Sequence, residues 1–330
     1  MRRHSMNLRR LRFFVTVAEE LHFGRAAERL CMTQPPLSQA ILALEQELSV
    51  TLFERTKRHV ALTPVGKQLL PHVTRLLEEV EELPGLAREL ARGEVGALNL
   101  GFVTTADYSL LPTLIGRYRQ SYPKVKISLR EMNSDLQVEA LLQGEIDAGL
   151  MTPLHTTLHA SLSYLPLHHE PLVAAVPEAW VASGRLTPVE GRLPLAEVAR
   201  EPLVLFPRRS APVFHDIITN YFEVNGTRPV IGQEAIQMQT IISLVSAGIG
   251  VALVPGSLCQ LARPGVRYLS LAEKPPTIET GLAWRRDDPS PTVNRLVEAA
   301  EAQGDVEDMP TLTPVLMAAT RERHRQNGAI

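Results

Sequence analysis

Leu69, Val73, Leu76, Val80, Leu83, Ala87 and Leu90 step along the chain by four and three residues in alternation. Such spacing puts one apolar seam down a helix, with Leu at one core position and mostly Val at the other, the pattern of a two-stranded coiled coil. A single amphipathic helix packed on its own chain carries a similar stripe. The strictness of the seam, with Glu78, Glu79, Glu81 and Glu82 outside it, favours a partner helix. Thr63-Pro64 marks its start, since proline suits the first helical position, where the lost N–H is unpaired anyway. Pro84 lies off the seam and predicts a bend near 80–84. Arg92-Gly93-Glu94-Val95-Gly96 then reads as a hinge. This helix, 68–92, divides a chain of 330 residues, too long for one ordinary core, into a short head and a long body.

In the head, Leu8, Leu11, Phe14, Val15 and Ala18 recur at helical spacing, so 7–20 is a helix. A short second helix covers 24–30, where Ala26 and Ala27 allow two backbones to cross closely. Leu37, Ile41, Leu44 and Leu48 mark a third, with Thr33 as its N-cap and Pro35-Pro36 in its first turn. That order is a helix-turn-helix, whose polar first turn meets base edges in the major groove. Gln34, Ser38 and Gln39 each donate and accept hydrogen bonds, as base readout requires. Residues 51–62 alternate as a hairpin wing, with Arg55, Lys57 and Arg58 at a cationic tip for phosphates or the minor groove. The whole chain carries −2, yet 1–67 holds eleven Lys/Arg against six Asp/Glu, a net of +5. A basic head on a neutral body suits a polyanion partner. A three-helix protein-interaction domain with a solvated basic loop is the plainer alternative.

The string Ala26-Ala27-Glu28-Arg29-Leu30-Cys31-Met32-Thr33-Gln34-Pro35-Pro36-Leu37-Ser38, with Leu44-Glu45, Leu52-Phe53-Glu54-Arg55 and Leu62-Thr63-Pro64-Val65-Gly66, resembles the LysR-type transcriptional regulators. The resemblance runs from residue 7 to about 303 and is densest in the head. It implies that Gln34, Pro35, Pro36 and Ser38 face the groove, that Arg55 belongs to the wing, and that the linker helix pairs antiparallel in a dimer. Many members carry Arg after the motif serine. Gln39 stands there in this chain, and glutamine matches the hydrogen-bond pattern of adenine rather than guanine.

From Ala97 short apolar strands alternate with helices: strands at 97–103, 125–131 and 147–151, helices at 110–121 and 135–143. A second set follows, with strands near 171–176, 203–206, 229–233 and 249–254 and helices near 213–224 and 237–247. A strand near 280–285 and a helix near 291–301 return to the first set. Together these make two parallel α/β lobes joined by crossing strands, as in periplasmic binding proteins. Ligands in open α/β sheets sit beyond the carboxyl ends of strands, where helix N-termini offer free N–H groups. Three segments qualify: Thr104-Thr105, Asn133-Ser134, and 206–214 with Arg208 and Arg209. They suit a carboxylate, with Phe206, Pro212, Phe214 and Met238 as apolar walls. The resemblance, to members that sense aromatic-degradation acids, puts Thr105 and Ser134 on the polar contacts and Pro212 and Phe214 on the walls. Arg208 and Arg209 stand where those relatives have small or single-charge residues, and mean either a more anionic effector or a solvated loop.

Other signals are bland. Cys31 and Cys259 match no metal or redox spacing and read as small buried hydrophobes in a reducing compartment. His155 and His159 lack a carboxylate to complete a ligand set, and His168-His169 reads as surface. Gly248-Ile249-Gly250 enters a strand without the third glycine of a dinucleotide fingerprint, so it is a tight turn. No nucleophile elbow, catalytic dyad, phosphate loop, export signal or membrane span is evident, and Met6 offers a second start.

The expected fold is α+β overall: a winged helix-turn-helix at 7–67, a linker helix at 68–92 and a two-lobed α/β domain at 96–303. Its lobe I is 96–168 with 271–303, its lobe II is 169–270, and 304–330 is an extension. By resemblance the chain is a cytoplasmic, ligand-responsive regulator that is no enzyme and needs no cofactor or metal. Its expected partners are double-stranded promoter DNA, a small organic acid effector, further copies in a homodimer and homotetramer, and RNA polymerase, with no membrane. The rival reading is a solute-binding protein whose N-terminal helices bind another protein.

Overall fold

The computed structural model describes residues 6–55, 59–153 and 159–302. The chain divides into two units, Met1–Glu89 and Leu90–Ile330. The first opens with α1 (Leu8–Glu20), α2 (Phe23–Arg29) and α3 (Gln34–Leu48). Asn7 caps α1, its side chain accepting from Arg9 N at 2.9 Å. The His22 imidazole caps α2 through Arg25 N at 3.1 Å. Ala26 and Ala27 are buried, as the steep helix crossing demands, and Leu37, Ile41 and Leu44 bury one face of α3 against Phe14 and Val17. Strands β1 (Phe53–Arg55) and β2 (Val60–Leu62) form the antiparallel wing. Lys57 and Arg58, expected at its tip, lie outside the described residues.

Helix α4 spans Pro64–Ala91. Thr63 Oγ1 caps it by accepting from Gly66 N at 3.0 Å and donates to Thr51 O at 2.8 Å. Gly66 is required, because a Cβ there would lie 2.4 Å from Leu52 O. The helix runs without a break through Pro84, and also through Pro71, whose place inside it was not foreseen.

The second unit begins with β3 (Val95–Phe102), α5 (Thr104–Asp107), α6 (Leu110–Ser121), β4 (Lys124–Glu131), α7 (Ser134–Gln143) and β5 (Ala148–Met151). Then come β6 (Leu162–Pro177), α8 (Glu178–Ala182), β7 (Arg192–Leu193), α9 (Leu195–Ala199), β8 (Pro202–Leu205) and α10 (Pro212–Val224). It closes with β9 (Val230–Glu234), α11 (Met238–Ser246), β10 (Ala252–Pro255), β11 (Val266–Leu271), β12 (Thr277–Arg285) and α12 (Pro291–Glu301). The main sheet runs β4-β3-β5-β12-β6-β11-β7, with β10 also on β6, and β8 pairs with β9.

The sheet is mixed, where parallel architecture was expected. Only β3 with β4 and β5, β8 with β9, and β11 with β7 are parallel; β12, β10 and β11 run antiparallel to β5 or β6. The cause is β6, which is 16 residues long where only 171–176 was expected. Pro166 and Pro171 with two histidines make its first half read as loop. That half pairs with β12, and from Leu172 onward it pairs with β10 and β11. The strand thus passes from lobe I to lobe II near Pro171, and alternate residues of its second half feed two cores. Leu172, Ala174 and Val176 pack with Leu203, Ile218 and Phe222; Val173 and Ala175 pack with Phe206, Met238 and Ile241. A strand covered on both faces reads as a continuous apolar run, which is how 172–176 reads. Lobe I buries Leu98, Leu100, Leu114, Tyr118, Leu282 and Leu296. Tyr118 donates to Thr292 O at 3.0 Å, and burial pushes its hydroxyl up to about 12.

Alternation along β6 also corrects the histidine pair. His168 is buried, 3.9 Å from the buried Glu170, whereas the exposed His169 meets Glu279 at 2.9 Å. Cys31, expected inside, is exposed in a left-handed turn (φ 53) between α2 and α3. Among the described residues no helix is long and apolar enough to cross a membrane, and no group of three metal-ligating side chains occurs.

Candidate functional sites

The first turn of α3 stands clear of the head. Thr33, Gln34, Pro35, Pro36 and Gln39 are exposed, Ser38 is half-buried, and Leu37 between them is fully buried. Thr33 occupies the N-cap position, yet its side chain makes no cap bond. The reason is local: an N-cap hydroxyl accepts from the second or third helical N–H, and both are prolines here. Its hydroxyl is left for an outside partner, beside the unpaired first-turn N–H of Gln34.

Arg55 departs from the sequence reading of a wing cation aimed outward. Its Nη2 sits 2.7 Å from Glu45 Oε2, and its guanidinium lies 4.9 Å from the Phe23 ring centre. The same Glu45 carboxylate accepts from Leu52 N at 2.8 Å and Phe53 N at 3.1 Å. Glu45, at a helical position with no obvious task in sequence, therefore fastens the wing to α3, and Arg55 completes the clasp. Changing Arg55 to Ala is expected to lower head stability by about 1–2 kcal/mol, read by thermal melting. It should alter the log–log salt slope of DNA binding by less than about one unit. An unchanged melt with a full unit lost from the slope restores the phosphate role.

Helix α4 splits the predicted seam in two. Val73 is buried in the head core, and Leu69 packs partly against it. Leu76, Leu83 and Leu90 are 41%, 55% and 45% exposed, joined by Leu86 at 41%, while Val80 is half-buried and Ala87 exposed. The amino-terminal third of the stripe serves its own chain; the rest stays open.

In the second unit, a cavity of about 80 Å³ lies where loops of the two lobes meet. Lobe I contributes Val103, Thr104, Thr105, Asn133, Ser134, Asp135 and Thr152. Lobe II contributes Phe206, Ser210, Ala211, Pro212, Val213, Phe214 and Ile236. The fold so brings together seven of the nine residues singled out in sequence. Thr105 Oγ1 is buried without a hydrogen-bond partner. Ser134 is 8% exposed and its Oγ accepts from Thr152 N at 3.2 Å, which leaves its hydroxyl proton free to donate. Thr104 is committed, donating to Glu131 at 2.6 Å. The helices α7 and α10 both begin at this cavity, and neither Asn133 nor Ala211 makes a side-chain cap bond. Uncapped N-termini keep their N–H groups and positive dipole ends for a ligand. Phe206 and Phe214 meet edge-to-face at 5.6 Å to form the apolar end.

Two expected site residues lie elsewhere. Met238, taken as a wall, is fully buried in the lobe II core behind Phe206, because the first turn of α11 packs onto β6. Arg208 does not line the cavity: it forms a two-pronged pair with Asp216, both contacts 2.8 Å. The hydrogen bond from Arg208 pulls the Asp216 carboxyl down to about 2, so the pair is intact at neutral pH. Arg209 is 3.8 Å from Glu234. Of the two readings of these arginines, a paired surface loop fits. Thr152 and Ile236 were missed, since loop residues distant in sequence carry no periodic signal. A wider open groove of about 410 Å³ beside Arg209 and Thr240 has no orphaned buried polar group on its lining.

Residues 8–67 match the model of the bacterial regulatory helix-turn-helix protein, lysR family, and 91–305 that of the LysR substrate binding domain. The chain is 54% identical over 304 residues to the HTH-type transcriptional regulator IlvR of Caulobacter vibrioides, covering 92% of this chain and all of that one. It is 40% identical to the HTH-type transcriptional regulator AlsR of Bacillus subtilis, covering 90% and 96%. The solved structure of full-length CbnR complexed with its target DNA superposes with a TM-score of 0.73 at 29% identity, covering 90% of this chain and 99% of that one.

Proposed function

The chain belongs to the LysR family, a DNA-binding transcriptional regulator with an effector-binding domain, and from that premise we propose how its parts divide the work. The first turn of α3 enters the major groove of promoter DNA, with Thr33, Gln34, Pro35, Pro36, Ser38 and Gln39 at the base edges and phosphates. The observation that carries this is the exposed polar turn held by the buried Leu37, Ile41 and Leu44. The open part of α4 (Leu76, Val80, Leu83, Ala87 and Leu90) seats a second chain. Contacts between bodies, for which the exposed β9 edge is available, make a dimer of dimers that bends the DNA between its sites. A small anionic effector occupies the cavity against Thr105, Ser134 and the N-termini of α7 and α10. It acts by its differential affinity for two arrangements of the lobes. RNA polymerase is the further partner of such a complex, which works in the cytoplasm and needs no cofactor and no catalytic step.

The test is fluorescence anisotropy of the full-length protein on duplexes from its own upstream region. Gln39→Ala should reduce specific binding about tenfold, the worth of one two-pronged base contact, and leave binding to unrelated duplex unchanged. Equal losses on both duplexes contradict groove placement of that residue.

A further inference from the structure

Resting on the reading of the cavity as the effector site, we propose that Gln137 is the positioning residue of its lobe I wall. One buried amide ties together the strand ends that carry Thr105, Ser134 and Thr152. Gln137 is fully buried on α7, three residues after Ser134 and on the same helix face. Its Nε2 has two protons, and both are used. One goes to Met132 O at 2.9 Å, the other to Leu150 O at 3.1 Å. Met132 follows the last residue of β4, and Leu150 lies in β5. The same two residues hold the end of β3: Met132 N donates to Phe102 O and Val103 N donates to Leu150 O, both at 2.9 Å. Each site hydroxyl leaves this knot at the same distance along the chain. Thr105 stands two residues after Val103, Ser134 two after Met132, and Thr152 two after Leu150. Ser134 Oγ then accepts from Thr152 N at 3.2 Å and closes the circuit.

Two glycines cut the slot for this amide. Gly101 and Gly149 face each other across β3 and β5. A Cβ on Gly149 would run into Gln137 Oε1, and one on Gly101 would lie 3.2 Å from it. Glycine inside a strand marks such a close approach. The oxygen itself is buried without a donor among the described residues. An unpaired buried carbonyl is unfavourable, and an apolar side chain of similar size fills the slot without it. What the position gains is therefore the two donated bonds and not the packing.

The experiment is hydrogen exchange of the full-length protein, read by mass spectrometry with no ligand added. Gln137→Met, close in volume but without donors, raises exchange at least about tenfold in segments 102–105, 132–135 and 150–152. It leaves β8, in lobe II, as in wild type. Gly149→Ala, which keeps Gln137 but takes its space, loosens the same three segments. Gln137→Glu separates donation from shape, since it donates one bond when protonated and none when ionised. Buried carboxyls titrate above their ordinary range, so its excess over wild type grows from pH 6 to pH 8, while that of Gln137→Met stays constant. Segments that remain protected in Gln137→Met and Gly149→Ala overturn the proposal, as does an increase shared equally by β8. Should Gln137→Met not fold, the Gln137→Glu trend decides, and a flat excess overturns the tie. No ligand takes part, so failure here leaves the effector reading untouched. That reading fails separately if Ser134→Val keeps the wild-type transcriptional response on a reporter driven by the upstream region, and the tie then stands without it.

Discussion

Leu83→Glu is expected to break the pairing through α4, halving the mass of the full-length assembly, and to weaken binding to a two-site duplex by about 10²- to 10⁴-fold. The affinity loss follows from effective concentration: two heads joined by α4 meet their half-sites as one molecule, and separate heads do not. Leu83 is the most exposed leucine of the open stripe, at 55%. A glutamate there is solvated in the single chain, so the fold has no reason to suffer. In a paired seam the same glutamate is an unpaired charge among Leu76, Val80 and Leu90. Light scattering reads the mass and anisotropy the affinity. A variant that keeps the wild-type mass removes the seam from the interface. Leu86→Glu, off the predicted seam and 41% exposed, shows how wide the buried strip is.

Glu45→Ala is expected to destabilise the head by about 3 kcal/mol, since a partly buried guanidinium and two backbone N–H groups lose their only common acceptor. For a unit of this size that lowers its melting temperature by about 12–24 °C. Glu45 is only 10% exposed, and its three donors span the start of the wing. Glu45→Gln keeps an oxygen for the backbone donors and should recover part of the loss, because the charge serves Arg55 and the acceptor geometry serves Leu52 and Phe53. The measurement is thermal melting by circular dichroism with DNA affinity recorded in parallel. A melting temperature within a few degrees of wild type refutes the clasp.

Helical spacing of the head, the Thr63-Pro64 start and the strand–helix alternation of the body were all readable because each depends on neighbours within one or two turns. The missing Thr33 cap was readable too, in principle: Pro35 and Pro36 remove the N–H groups it would accept from. The strand β6 was half hidden, since its prolines and histidines look like loop until β12 is seen beside them. Arg208 gave two readings because the residue that settles it, Asp216, stands eight positions away in a helix whose facing direction is set by packing. Met238 was misplaced for the same reason. Its type suits a ligand wall or a core equally, and only the seating of α11 on β6 chooses.

The sequence by itself determined that this chain has a polar helix start at 33–39, an apolar helix seam and a two-lobed body, because periodicity, proline chemistry and apolar spacing are local properties. The tertiary structure alone decided which seam residues serve the chain itself and which stay open. It also decided that Arg55 turns back onto Glu45, and that Thr105, Ser134 and Thr152 line one cavity with Phe206 and Phe214. Those outcomes depend on which distant groups reach one point first and on which donors find an acceptor there, and no local spacing encodes that.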